Sequence, residues 1–73
     1  NDVYTTYGEI IRLQNAADGA KFYFAKGYKT AAQMKYEKAF APEVGFTAAD
    51  KGYYTVLAQE SDRKMYVIYV YVY

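Results

Sequence analysis

Apolar residues in the first third of the chain recur at a helical spacing. They lie three or four positions apart, which gathers them on one face of a helix. Lys26 and Gly27 make a suitable end, because a cation favours the last turn and glycine adopts the left-handed cap. We therefore predict an amphipathic helix within residues 1–27, with this apolar face: Val3, Tyr7, Ile10, Leu13, Ala17, Ala20 and Phe24.

Residues 28–42 predict a connecting segment that contains a short helix. Thr30 and Gln33 have the spacing of a capping box, and good helix formers follow as far as Lys38. Pro42 ends the segment, because proline cannot continue a helix.

Residues 43–73 alternate at the strand period of two and predict three antiparallel strands. Asp50 and Gly52 suit a tight hairpin turn after the first strand, and "ESDRK" forms the turn after the second. The predicted fold is a single α+β domain over residues 1–73, with the N-terminal helix packed on a three-stranded antiparallel meander in two layers.

The last strand, residues 65–73, is apolar on both faces. Tyr69, Tyr71 and Tyr73 share one face, whereas Ile68, Val70 and Val72 share the other. We expect the aliphatic face to pack on the helix and the tyrosine face to meet a partner, since contiguous apolar patches mark binding sites. The alternative is that these tyrosines face solvent, as strand tyrosines often do, and are shielded by long neighbours such as Lys64.

Phe22 and Tyr23 flank the apolar face of the predicted helix on opposite sides. A two-layer domain cannot easily bury both, so we expect the connecting segment to cover Phe22. Tyr23 is then a further candidate for the partner interface.

Composition removes several classes of function. The 73 residues include no Cys and no His, so disulfides and the commonest catalytic base are excluded and a structural zinc site is not expected. Asp50, Glu60 and Asp62 fall in predicted turns, where solvated carboxylates are ordinary. We expect no catalytic activity, no cofactor and no metal.

The net charge and the length of the chain limit the partners that we expect. The formal net charge is +1 without a basic stripe, so direct binding of nucleic acid is not expected. The apolar run of residues 65–73 is about half as long as a membrane-spanning helix requires, so we expect no membrane span in this chain. A core this small supplies only ~3–5 kcal/mol by itself, which favours extra burial against a partner chain. A well-packed monomer is the alternative.

The order of several short motifs resembles the globular region of bacterial type IV pilins. The resemblance extends over most of the chain from Leu13, and residues 52–69 resemble the paired strands of the pilin sheet. The polar residues 1–8 depart from the apolar helix with which pilins begin, so either that helix was trimmed or it is a separate chain, as in split pilins. The motifs are, in order, Ala16 with Ala17, Phe22 with Tyr23 and Phe24, Gly27 with Tyr28, Thr30 with Ala31 and Ala32, and Gly45 with Phe46 and Thr47.

The resemblance implies a structural subunit of an extracellular, cell-surface filament, exported through the periplasm. Its partners would be other copies of itself, a separate hydrophobic pilin helix, or both. The alternative is a small secreted binding or inhibitor module that engages one protein target. In either case the predicted partner interface consists of Tyr69, Tyr71, Tyr73 and Tyr23.

Overall fold

The chain folds as an all-β domain. A computed structural model describes residues 2–13, 18–34, 37–61 and 63–73, and these residues contain strands and one 3-10 turn but no α-helix. The strands are β1 (Asp2–Thr5), β2 (Ile10–Ile11), β3 (Lys21–Lys26), β4 (Lys38–Phe40), β5 (Phe46–Thr47), β6 (Gly52–Ser61) and β7 (Lys64–Val72), and the 3-10 turn is Ala32–Met34.

Five strands form the main sheet in the order β1-β7-β6-β3-β4. β1 runs parallel to β7, and every other neighbouring pair is antiparallel. β2 and β5 form a separate two-stranded sheet, in which Ile11 lies opposite Phe46. The long hairpin of β6 and β7 is therefore the centre of the domain.

The predicted N-terminal helix is wrong, and so is the α+β class. Residues 2–26 instead supply β1, β2 and β3, because their β-branched and aromatic runs fit a pleated sheet better than a helix. Gly8 and Gly19 take φ angles of 98° and 79°, which an α-helix does not contain. Of the predicted apolar face, Ala17 lies outside the described residues, as does Ala16 of the pilin-like motifs.

The capping box in the connecting segment is confirmed. The Thr30 backbone N–H donates to Gln33 Oε1 at 2.9 Å, and the Gln33 N–H donates to Thr30 Oγ1 at 3.4 Å. The helical turn that follows is a 3-10 turn, and the segment then enters β4 at Lys38. Residues 35 and 36 of the predicted short helix lie outside the described residues.

The predicted meander is correct only for its last two strands. β6 and β7 pair antiparallel as a hairpin, with Asp62 of the predicted turn outside the described residues. β5 pairs with β2 rather than with β6, and β3 takes the predicted place of β5 beside β6. The turn at Asp50 and Gly52 therefore carries the chain between two sheets, not between paired strands.

The first face of the main sheet forms the larger core, beneath the β2–β5 sheet. Phe46 of β5 stacks on Phe24 of β3 with ring centroids 4.0 Å apart. The aliphatic face of β7 points into this core as predicted, but β2 and β5 cover it rather than a helix. The buried residues of this cluster are Ile11, Phe46, Ala48, Tyr54, Val56, Val70 and Val72.

The 3-10 turn covers one end of the second face of the main sheet. There the 3-10 turn places Met34 over Leu57 and Ala25, and all three are buried. Tyrosine side chains of β1, β6 and β7 lie toward the other end of this face, around Thr55. In the described part of the chain, no helix has the length and hydropathy needed to cross a membrane.

Candidate protein-interaction surface

Strand register brings tyrosines from three strands side by side on the second face. Tyr71 of β7 lies opposite Tyr53 of β6 and opposite Tyr4 of β1. Residues directly opposite in neighbouring strands project on the same face. The Tyr71 ring accordingly contacts Tyr53 at a centroid distance of 4.7 Å and Tyr4 at 6.1 Å.

Tyr28, in the loop after β3, extends this row. Its ring packs on Tyr53 at 4.5 Å and on Tyr69 at 4.9 Å, and Tyr73 lies 6.4 Å from Tyr71. Ring pairs at such distances attract one another beyond the area they bury. We call these six residues the tyrosine surface: Tyr4, Tyr28, Tyr53, Tyr69, Tyr71 and Tyr73.

Thr55 holds the loop that carries Tyr28. This side chain is fully buried; its Oγ1 donates to the Gly27 carbonyl at 2.5 Å and accepts from the Lys29 N–H at 3.0 Å. The Gly27 N–H also donates to the Tyr53 carbonyl at 2.7 Å. The backbone is thus anchored on both sides of Tyr28, and its ring is positioned before any partner arrives.

Half of the tyrosine surface is well exposed to solvent. Tyr4, Tyr28 and Tyr73 keep 63%, 60% and 56% of their area exposed, whereas the other three members are half-buried. An aromatic side chain covers roughly 150–250 Å² when buried, so these three offer roughly 270–450 Å². Patches of this size on a single small domain are commonly functional.

The surface carries no formal charge of its own. Lys29, next to Tyr28 in the chain, already faces Glu37 at 3.9 Å. A partner that covers these six side chains buries rings and hydroxyl groups rather than ions, and burial of an unpaired ion would be the costly case.

The three C-terminal tyrosines of the predicted interface, Tyr69, Tyr71 and Tyr73, all lie on this surface. Tyr23 does not join them. Its register opposite Leu57 puts it on the same face, but at the other end, where it packs half-buried against the Met34 cluster. Phe22 is buried against Phe40 of the connecting segment, with ring centroids 6.0 Å apart, as predicted.

The remaining members, Tyr4, Tyr28 and Tyr53, were missed by sequence reasoning. Tyr53 alternates with Thr55 and Leu57, but its place beside Tyr71 depends on the hairpin register. Tyr4 fell within the wrongly predicted helix, although the run of Val3, Tyr4 and Thr5 is typical of a strand. Tyr28 follows a glycine in a loop, and no local pattern indicates its contacts.

An open groove of about 350 Å³ lies between β4 and β5. Phe24, Phe40 and Phe46 line it, with Lys38 as its one charged residue. The groove lining contains no carboxylate, so it offers no acid–base pair. Over the described residues, no group of His, Cys, Asp and Glu side chains could hold a metal ion.

Comparisons of the chain with protein families, curated proteins and solved structures find no match. What the tyrosine surface can do therefore follows from its own geometry and chemistry.

Proposed function

We propose that this chain is a non-catalytic structural subunit that assembles with further copies of itself through the tyrosine surface. The observation that carries the proposal is the continuous row of six contacting tyrosines, three of them more than half exposed, on one face of the main sheet.

The chemistry of the surface suits a protein partner. Tyrosine supplies a large contact area with only two rotatable side-chain bonds, so ordering it on binding costs little entropy. Its hydroxyl group can hydrogen-bond at a rim while the ring is buried. Tyr28 is already held by the Thr55 anchor, which lowers that cost further.

Three properties favour a second copy as the partner. Tyrosine rings already pack on tyrosine rings within the surface, so the same contacts can form between copies. The net charge of +1 produces little repulsion between copies. The exposed rings supply roughly a third to a half of the ~800 Å² that each partner buries in a typical stable interface, and neighbouring residues can supply the remainder.

The extracellular, pilin-like setting rests on the sequence resemblance alone. The fold that the resemblance implies has an N-terminal helix, and this chain forms strands there. For that reason the proposal rests on the tyrosine surface. A pilin-like filament is the most specific assembly that we propose.

The test compares the mass in solution of the unmodified chain and of a Tyr4→Ser, Tyr28→Ser, Tyr73→Ser triple variant by sedimentation velocity over a wide concentration range. These positions are exposed, so the fold should survive their substitution. We expect the unmodified chain to associate and the triple variant to reach a smaller limiting mass. Val44→Ser is the control, since Val44 is exposed and does not contribute to the tyrosine surface.

Equal masses for the unmodified chain and the triple variant would overturn the proposal. If the chain associated only with a different protein, in a closed one-to-one complex, the result would instead support the binding or inhibitor module. A hydrophobic pilin-type helix added in trans tests the split-pilin form directly, because only that form predicts a stable complex with it.

A further inference from the structure

One pair of tyrosine rings is held in contact between the loop after β3 and the central strand. Among the tyrosines that the structure describes, Tyr28 and Tyr53 have the shortest distance between ring centroids, 4.5 Å, and their planes are tilted by 31°. The backbone on both sides of Tyr28 is bonded to the buried hydroxyl group of Thr55. The fold therefore holds two phenol rings side by side within a single chain.

This pair is accessible to an oxidant. Tyr28 keeps 60% of its area exposed, whereas Tyr53 is half-buried. Electron transfer between rings in contact is fast, so an oxidation that begins at Tyr28 can also reach Tyr53.

The other side chains compete weakly for a one-electron oxidant. The 73 residues contain no cysteine and no tryptophan, which are the side chains oxidised in preference to tyrosine. Of the two methionines, Met34 is fully buried and Met65 is half-exposed, and the product of methionine oxidation is a sulfoxide rather than a cross-link. Tyrosine is therefore the side chain at which such an oxidant acts.

We propose that Tyr28 and Tyr53 are the site of an oxidative modification, in which a dityrosine cross-link joins the two rings within one chain. Rotation about the side-chain bonds of Tyr28 brings the ring edges together, while the bonds to Thr55 keep its backbone in place. The oxidant is of the class of a haem peroxidase with hydrogen peroxide. The inference goes beyond the proposed function and does not depend on it, since both rings belong to the same chain.

The reaction balances with one molecule of peroxide. Each phenol loses one electron and its hydroxyl proton, and the two phenoxyl radicals join through a carbon–carbon bond between ring carbons next to the hydroxyl groups. Each of these carbons then releases its hydrogen as a proton while the oxygen beside it regains one, so both phenols are restored. The two electrons and two protons lost overall reduce one hydrogen peroxide to two molecules of water.

The cross-link would tie the loop after β3 to β6 in a chain that has no cysteine for a disulfide. A covalent link between distant residues stabilises a fold mainly by constraining the unfolded chain. Small domains commonly need such a link, because their cores are small. We therefore expect oxidation to raise the temperature at which the domain unfolds.

The test treats the unmodified chain with a haem peroxidase and hydrogen peroxide, at a dilution where sedimentation velocity shows a monomer. We expect dityrosine fluorescence and the loss of two hydrogen atoms from the mass of the single chain, with a yield per chain that does not change on further dilution. Trypsin cuts after lysine and arginine, so the cross-link should join the peptide of residues 27–29 to the peptide of residues 52–63. Tandem mass spectrometry then distinguishes Tyr53 from Tyr54 in the second peptide.

Tyr28→Phe and Tyr53→Phe keep a ring at each position but remove the hydroxyl group, and each should abolish this cross-linked peptide. Tyr66→Phe is the matched control and should leave its yield unchanged, because Tyr66 is 45% exposed but lies toward the other end of β7, opposite Ala58. Circular dichroism checks that each variant keeps the fold. The rise in unfolding temperature on oxidation should be larger for the unmodified chain than for Tyr28→Phe.

A single chain that is oxidised without forming this peptide overturns the inference. So does a link from Tyr28 to Tyr69, or a cross-link found only between two copies. An equal yield from the chain unfolded in urea overturns it as well, because the contact in the folded domain would then not be required.

Discussion

The ring of Tyr28 packs on the ring of Tyr53 with centroids 4.5 Å apart, although Tyr28 belongs to a loop and Tyr53 to the central strand. The contact depends on Thr55, two residues beyond Tyr53 on the same face. Its buried hydroxyl bonds the backbone on either side of Tyr28. One small polar residue in the sheet thereby orders part of an exposed aromatic surface.

Replacing Thr55 with Val should destabilise the domain by about 1–3 kcal/mol, because the Gly27 carbonyl and the Lys29 N–H both lose their bond to the hydroxyl. Urea unfolding measures the loss. The Tyr28 ring should also become mobile, which NMR relaxation of its aromatic signals detects.

Thr55→Ser keeps the hydroxyl group and should restore most of the lost stability, while Thr47→Val changes an exposed threonine and should be nearly neutral. If Thr55→Val left both the stability and the Tyr28 signals unchanged, the assigned anchor would be wrong.

Gly45 and Gly8 should respond differently to the same substitution. Both take positive φ angles, 79° and 98°, so alanine strains the backbone at each by about 1 kcal/mol or more. A Cβ atom at Gly45 would also collide with the Ile11 carbonyl oxygen and come within 2.9 Å of Arg12 Cγ, whereas the space around Gly8 is open. Gly45→Ala should therefore lower the free energy of unfolding clearly more than Gly8→Ala.

Thermal unfolding of the two glycine variants measures this difference, and each kcal/mol corresponds to about 4–8 °C in a domain of this size. Faster amide exchange at Ile11 and Phe46 should accompany Gly45→Ala only, since the collision separates β2 from β5. Equal losses of stability in the two variants would contradict the close approach of Gly45 to β2.

Asp50 should titrate below its ordinary pKa of 3.8, chiefly because the Lys26 ammonium group donates a hydrogen bond to its carboxylate. The same contact raises the pKa of Lys26. A carboxyl whose pKa is lowered by folding contributes stability above its unfolded pKa, and this contribution is lost as the pH falls through the folded value. The raised pKa of Lys26 gives a contribution that is present below its ordinary value of 10.5 and lost as the pH rises through the folded value.

Carbon-detected NMR titration of the Asp50 carboxyl measures this shift. In Lys26→Gln the pKa of Asp50 should rise toward its ordinary value, and added salt should have a similar but smaller effect because both groups are exposed. Lys21→Gln, at the other end of β3, is the matched control and should leave the Asp50 pKa unchanged. If the Asp50 pKa did not change in Lys26→Gln, the assigned ion pair between Lys26 and Asp50 would be wrong.

Local patterns predicted the features that depend on near neighbours in the chain. The β6–β7 hairpin, the inward face of Val70 and Val72, and the capping box of Thr30 and Gln33 all follow from spacings of two or three residues. The grouping of Tyr69, Tyr71 and Tyr73 follows from the same alternation. Each of these features is decided within one element or between two adjacent ones.

The same reasoning failed where one pattern suits two structures. Apolar positions three and four apart in residues 3–26 match a helical face, yet they also arise when short strands alternate with turns. Gly8 and Gly19 were the signals against a helix, because each adopts a backbone conformation that interrupts one. The β-branched and aromatic residues near these glycines instead belong to strands that pair within the sheets.

Sequence alone thus determined a tyrosine-rich, cysteine-free and histidine-free small domain that ends in a hairpin with one aliphatic and one aromatic face. Tertiary structure alone decided that β1 pairs with β7 from the opposite end of the chain, that β5 joins β2, and that Tyr4, Tyr28 and Tyr53 complete the tyrosine surface. The physical reason is that strand pairing satisfies backbone hydrogen bonds between distant segments, and the choice of partner depends on the packing of the whole sheet rather than on any local run of residues.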